Sequence, residues 1–590
     1  MVRIGRSSSR IWGVVLFLLT LVTVVWAKTA PAEGRSPDIQ GHWAQPCMEA
    51  LVQTGVMPVY LDGLLRPEAT VTRAEFAQII QRAFPSQKPV RPAMGFNDVG
   101  PDAPAVGAIQ YAYQTGFLSP SPDGQFYPTA TLPRAQALGV LATGLNFVSD
   151  QVGVQDLPTA FSDAQQIPAY TRSAVATALE NGLIINYPSV RQLNPQQPMR
   201  RAELAGALCL LRPGLTALVP AQYVVHPPPV PSPTREIRGV WLTSIDSDVL
   251  FSRDRTRQAI AELASLNFNT IYPTVWNWGY TLYPSAVAQG SIGVAVDPRI
   301  PGLQGRDMLA EVVQQGHQHR MAVIPWFEFG FMAPADSELA RRYPELLTQR
   351  QNGDRVWMQG TDARVWLNPF KPEVQGLLGN LILEVVDKYA IDGIQLDDHF
   401  SLPNEFGYDP FTVQLYQKQH EGKSPPTDPT DPEWIKWRAD QLTEFMKLLV
   451  KTVKQRKPNL IVSLSPNNYG YAYQTSLQDW RTWKQQKLID ELIVQAYRSD
   501  LQSFMRELTS TEVQEANQTV PTGIGILTGL RQQGAPIRRV RQQVNAVRRQ
   551  GLAGFSFFFY ESLWNLTEEP TAARKPFFQT IFPTAVPRPS

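Results

Sequence analysis

Asp392-Gly393-Ile394-Gln395-Leu396-Asp397-Asp398-His399-Phe400 is the stretch from which the architecture of this chain is best read. Apolar and polar side chains alternate from Ile394 to Asp397, the period of a strand, and the run then stops in two acids and a histidine. Short apolar segments recur on either side of it, at about 237–243, 269–275, 321–327, 460–465, 491–497, 522–526 and 553–559. Between them lie stretches with helical spacing, such as 255–266, 306–319, 372–389, 436–455 and 536–549. Eight strand-then-helix units over roughly 350 residues predict an α/β fold, a (β/α)8 TIM barrel with insertions. An open doubly wound sheet is the runner-up, but the Gly-rich phosphate turn expected after its first strand is missing.

In such a barrel the chemistry sits at the C-terminal ends of the strands. If Ile394 and Leu396 face the helices, Gln395 and Asp397 face the interior and Asp397 stands at the mouth, with Asp398 and His399 opening the loop. One of the two acids can instead cap a turn, and Asp397 is the preferred chemical group. Cleavage of a glycosidic bond needs two carboxyls, one protonated and one ionised. Glu328, after Pro325-Trp326-Phe327, and Glu561, after the run Phe555–Tyr560, are the candidates for the second. Aromatics around Glu328 would raise its pKa by desolvation; either glutamate can alternatively bind substrate or pair with an arginine. Other strand ends offer sugar-type contacts: Arg238 and Trp241 on the first, Trp276 and Asn277 on the second, Asn467 on the fifth, Gln495 and Tyr497 on the sixth, beside Gln395 and His399.

Upstream, residues 37–212 contain three units spaced by roughly 60 to 67 residues. Asp38, Asp98 and Asp163 open them; a first helix closes at Gly55, Gly116 and Gly182; a second opens at Thr72-Arg73-Ala74-Glu75, Pro133-Arg134-Ala135-Gln136 and Arg200-Arg201-Ala202-Glu203. These residues resemble the S-layer-homology (SLH) module, so an all-α three-repeat SLH domain is expected, with repeats at 37–86, 96–145 and 161–212. The resemblance implies attachment to a cell-wall-linked polysaccharide and places Arg73, Arg134 and Arg201 at that polymer. Read structurally, each of these arginines can equally pair with a neighbouring acid. Residues 213–234 are Pro-rich and predict a semi-rigid linker before the barrel at 235–582.

The first 30 residues read as an address: Arg3, Arg6 and Arg10 precede an apolar run from Ile11 to Trp26 and small residues at Ala27, Thr29 and Ala30. That run falls short of the ~20 residues of a membrane span. A cleaved export signal is expected, with an uncleaved anchor as the alternative and only route to a membrane. The chain of 590 residues has 54 basic and 52 acidic side chains, a net charge of +2, which offers no footprint for nucleic acid. Its two cysteines, Cys47 and Cys209, either pair in an oxidising compartment or stay as buried thiols. No G-x-S-x-G, P-loop or H-E-x-x-H motif is present, and His317 and His319 are not at ligand spacing, so no metal or cofactor is expected.

The barrel segment is similar to the glycosyl hydrolase-like family 10 group, through "REIRGVWLT" (235–243), "FNTIYPTVWNWGYTLYPS" (268–285), "WLNP" (366–369), "DGIQLDD" (392–398) and "DELIVQAY" (490–497). The resemblance implies a TIM-barrel hydrolase of glycan chains, related to a glycosidase that acts on peptidoglycan strands stripped of their peptides; the export segment and the SLH repeats add the expectation that it is exported and held on the bacterial envelope. It also supports Asp397, because "DGIQLDD" looks like the fourth-strand segment that carries the nucleophile in the α-amylase group. The third strand ("PWFEFGF") and the fifth ("SPNN") depart from the pattern. A non-catalytic glycan-binding protein with an inactive barrel is the competing expectation.

Overall fold

The computed structural model describes residues 36–589 apart from 148–151, 213, 229, 231, 532, 567–568 and 570. The expected export segment therefore lies outside the described residues, as do three prolines of the 213–234 stretch. Among the described residues no helix is long and apolar enough to cross a membrane.

Among the described residues, six helices of nine or more residues build the N-terminal region: α1 (Gln45–Gln53), α2 (Arg73–Ala83), α3 (Val106–Gln114), α4 (Arg134–Gly144), α5 (Arg172–Glu180) and α6 (Arg201–Leu211). They pair between repeats. Helix α2 packs on α3, α4 on α5, and α6 returns to α1, so the three units close a ring. Each opening aspartate folds its own unit: Asp38 accepts from the amides of Leu65 and Arg66, Asp98 from Phe126 and Tyr127, and Asp163 from Leu193 and Asn194. Backbone bonds then run around the ring's centre, from Val71 to Met199, Met199 to Leu132 and Leu132 to Val71. A disulfide between Cys47 on α1 and Cys209 on α6 joins the first repeat to the last.

Arg73, Arg134 and Arg201, expected at the wall polymer, lie buried between repeats instead. Arg73 donates to the carbonyls of Phe126 and Ser119, Arg134 to those of Leu193 and Ile185, and Arg201 to those of Leu65 and Pro58. Each guanidinium thus holds the loop of the next unit in the ring. Arg134 also pairs with Glu203 and Arg201 with Glu75. In the second repeat Gln136 stands where Glu75 and Glu203 stand in the other two. The reason is geometric: a first-turn side chain leans back over the chain that precedes its helix, and there the next repeat's loop supplies carbonyls that need donors.

The C-terminal region is a closed parallel barrel. Its strands are β1 (Ile237–Leu242), β2 (Thr270–Pro273), β3 in two halves (Ala322–Val323 and Trp326–Phe327), β4 (Gly393–Asp397), β5 (Ile461–Ser465), β6 (Glu491–Gln495), β7 (Thr522–Leu527) and β8 (Gly554–Phe558). The first half of β3 pairs with β2 and the second with β4, so both ends of the strand order belong to one strand and the sheet closes. Pro325 divides the halves because it has no amide hydrogen; its carbonyl still accepts from Gln395 at 2.8 Å. A helix follows each strand: α7 (Arg253–Ser265), α8 (Met308–Gln318), α9 (Pro372–Lys388), α10 (Pro432–Arg456), α11 (Trp480–Gln485), α12 (Leu501–Leu508), α13 (Ile537–Arg549) and α14 (Thr571–Ile581).

Strand alternation sorts the side chains. Ile394, Leu396, Leu492 and Val494 join the outer core beneath the helices, whereas Trp241, Tyr272, Ile324, Trp326 and Ile493 fill the interior. A polar layer crosses that interior: Trp241 donates to Gln395, Gln395 to Ser463, and Ser463 and Tyr272 both donate to Glu491. The C-terminal tail stoppers the barrel's N-terminal end, where Arg588 pairs with Glu491. The Pro-rich stretch is not a free spacer. Its start adds to the third repeat, with Val225 N donating to Ile184 O at 2.9 Å, and Arg548 of α13 reaches the Val230 carbonyl at 3.4 Å.

Candidate active site

Three strand ends meet at the mouth. Asp397 ends β4 and is 2% exposed. Its Oδ1 accepts from Gln495 Nε2 at 3.1 Å, and its Oδ2 lies 3.0 Å from His399 Nδ1. Gln495 is aimed by its own bonds to the Ser465 carbonyl and hydroxyl. Nδ1 of His399 is also 3.1 Å from the Glu328 carbonyl and 3.3 Å from Asp398 Oδ1. All of these neighbours are acceptors, which assigns the ring hydrogen to Nδ1. Asp398 is the more open acid, its side chain 22% exposed, and it accepts from Asn467 Nδ2 at 2.7 Å.

Glu328 follows β3 and is 7% exposed. Asn277 Nδ2 donates to its Oε2 at 2.8 Å and Thr274 Oγ1 at 3.3 Å. Asn277 is itself held by Ser244 at 2.9 Å. Burial pushes the Glu328 carboxyl up to about 8, against the opposing pull of His399 and the Thr274 hydroxyl, and Asp398 adds to the rise. Asp397 is held well above the usual carboxylate range, by burial first and then by Asp398 and Glu328. Tyr497 is pushed up by burial first and then by the same three carboxylates. A crowded set of acids in a dry site cannot all ionise, so near neutral pH the mouth retains at least one carboxyl proton, with Glu328 as a holder of it. Asp397, Asp398 and His399 also stand close enough together to hold a cation.

Asp397, Asp398, His399, Glu328, Asn277, Asn467, Gln495 and Tyr497 are thus gathered at one opening, with Trp241 and Gln395 in the layer beneath. Three expected residues are elsewhere. Arg238 shares the parity of Val240 and Leu242, so it points outward at the barrel's N-terminal end, where it pairs with Glu236 at 2.8 Å and donates to the Thr584 carbonyl. Trp276 turns into the outer core, its Nε1 donating to the Gly330 carbonyl at 3.0 Å. Glu561 stands by Ser247, Val249 and Arg255, apart from the three acids. Thr274, Ser244 and Trp326, whose indole lies against Asp397, also belong to the mouth. Thr274 and Trp326 lie within the motifs already quoted, so position at a strand end was the available signal.

The glycosyl hydrolase-like 10 family profile matches residues 236–546, and the S-layer homology domain matches at 37–77, 95–138 and 160–205. The chain is 25% identical over 352 residues to the glycosyl hydrolase DigH of Escherichia coli K12, covering 52% of this chain and 76% of that protein. It is 24% identical over 298 residues to the glycosyl hydrolase YngK of Bacillus subtilis, covering 45% and 54%. The surface-layer 125 kDa protein of Lysinibacillus sphaericus is 27% identical over 165 residues, covering 28% and 13%.

Proposed function

Because the chain belongs to the glycosyl hydrolase-like 10 family and carries three S-layer homology repeats ahead of that region, we propose that it is an exported glycoside hydrolase, held on the bacterial cell envelope, that cleaves wall glycan strands. The observation that carries this reading is a buried Glu328, pushed up to about 8, in the same barrel mouth as the Asp397–Asp398 pair. Glu328 acts as the general acid. Asn277 and Thr274 both donate to Oε2, which leaves Oε1 to carry the proton toward the leaving oxygen. The ionised partner comes from the Asp397–Asp398 pair. Asp398, the more open, meets the sugar or its attacking water, while Asp397, gripped by Gln495 and His399, fixes the pair in place. The repeats hold the protein on a wall-linked polymer, with the buried arginines shaping the grooves between units.

Release of soluble fragments from purified, peptide-stripped peptidoglycan by the full chain tests this. Wild type is expected to cleave, and Glu328→Gln and Asp398→Asn to lose about 10²–10⁴-fold in rate, with Asp397→Asn comparably impaired. Intact glycan that still binds the wild-type protein would establish a binding protein with an inactive barrel instead.

A further inference from the structure

A second polar cavity opens between the loop after β1, helix α7 and the turn after β8. It measures about 390 Å3 and is lined by Arg255, Gln258, Tyr560, Asn565 and the carboxylates of Asp248, Glu262 and Glu561. Oε2 of Glu561 is buried and has no hydrogen-bond partner. Burial raises the carboxyl of Glu561 above its usual range, only partly offset by the Ser247 hydroxyl, the Val249 amide and Arg255. The other charges around the cavity are engaged: Arg255 with Asp248, and Glu262 with Lys575 and with the Tyr560 hydroxyl at 2.9 Å.

Three carboxylates against one arginine disfavour an anion. Two amides, the carboxylates and a tyrosine ring instead match the hydroxyls and ring face of a sugar. The cavity also shares an element with the mouth. Ser244, which holds Asn277 against Glu328, lies four residues before Asp248 on the same loop, a span of at most ~14 Å.

We propose that this cavity is a distal subsite that takes one saccharide unit of the glycan whose scissile bond lies at Glu328 and Asp398, with Glu561 accepting from its hydroxyls. The proposal rests on the hydrolase reading for its polymer, but its test does not require turnover.

The probe is peptide-free glycan strands, long ones and fragments too short to reach from the mouth to the cavity. Equilibrium binding is measured on the full chain carrying Asp398→Asn, alone and combined with Glu561→Gln, Gln258→Ala or Asn565→Ala, each checked for an unchanged Tm. About tenfold weaker binding of long strands in at least two of the three, with short fragments unaffected, is the expected result. Unchanged affinity in all three, or no binding of long strands at all, overturns the proposal. So does an equal loss of kcat on short and long substrates when Glu561→Gln is made in the active chain, because Glu561 would then belong to the chemistry. If the wild type binds through Glu561 yet cleaves nothing, the subsite stands and the hydrolase reading falls.

Discussion

His399 and Asp397 are locked together at the barrel mouth, Nδ1 lying 3.0 Å from Oδ2. The same nitrogen reaches the Glu328 carbonyl at 3.1 Å, so one imidazole ties the end of β4 to the end of β3 and sets the spacing of the two carboxyl groups. His399 is therefore a positioning residue in the proposed mechanism, and it also draws the Glu328 pKa down.

Replacing it should be visible in the pH profile. A general acid with a pKa of about 8 gives a rate that falls as pH rises through that value. His399→Gln removes a downward pull on Glu328, so the falling limb is expected at higher pH, with kcat lowered about 10–100-fold through lost orientation. A limb that stays in place would exclude this coupling. Thr274→Val, which removes a second downward pull, is expected to move the limb the same way with less loss of kcat.

Stability should carry the same signature. In the folded protein Glu328 keeps its proton to about pH 8, whereas unfolded it releases the proton near its ordinary value of 4.5. The unfolded state binds fewer protons across that window, so this group's contribution declines as pH rises from about 4.5 to 8. Glu328→Gln has no proton to lose. Its Tm should therefore fall less than that of wild type over the same range, measured by thermal denaturation at a series of pH values.

The repeat ring should be weakened at its seam by reduction. Cys47 and Cys209 are 162 residues apart in sequence and join the helices that close the ring. Loss of such a cross-link costs typically about 2–4 kcal/mol. A Cys47→Ser, Cys209→Ser double variant is expected to unfold its repeats at lower denaturant than wild type, with the barrel's transition unmoved.

The three ring arginines should not be equivalent. Removing Arg201 or Arg134 leaves Glu75 or Glu203 without its partner in a largely buried setting, for which about 3–5 kcal/mol is typical. The second repeat carries Gln136 where the others carry Glu75 and Glu203, and Arg73 has no ion-pair partner among the described residues. Arg73→Met should therefore cost less than Arg201→Met in chemical denaturation.

Much of the barrel was legible because strands and helices have different periods and because the C-terminal strand ends carry the chemistry. Asp397, Gln395, Gln495 and Tyr497 face inward by parity alone, with Val494 on the other face. Parity on β1 also held the correct answer for Arg238, which shares a face with Val240 and so lies away from the mouth. Trp276 and Glu561 lie past their strand ends, where alternation no longer applies and the loop alone sets direction.

Local periodicity and spacing were enough to determine three helical repeats, eight strand-helix units and a mouth bearing Asp397 and Asp398, since each depends on residues within a few turns of one another. Only the tertiary structure decided that β3 divides at Pro325 to close the barrel, that Cys47 meets Cys209, that the repeat arginines face inward and that His399 bridges to Glu328. Those features join residues 46 to 162 positions apart or couple both edges of a sheet. No local rule encodes them, because the carbonyls, thiols and carboxylates that satisfy each group arrive together only when the ring and the barrel have closed.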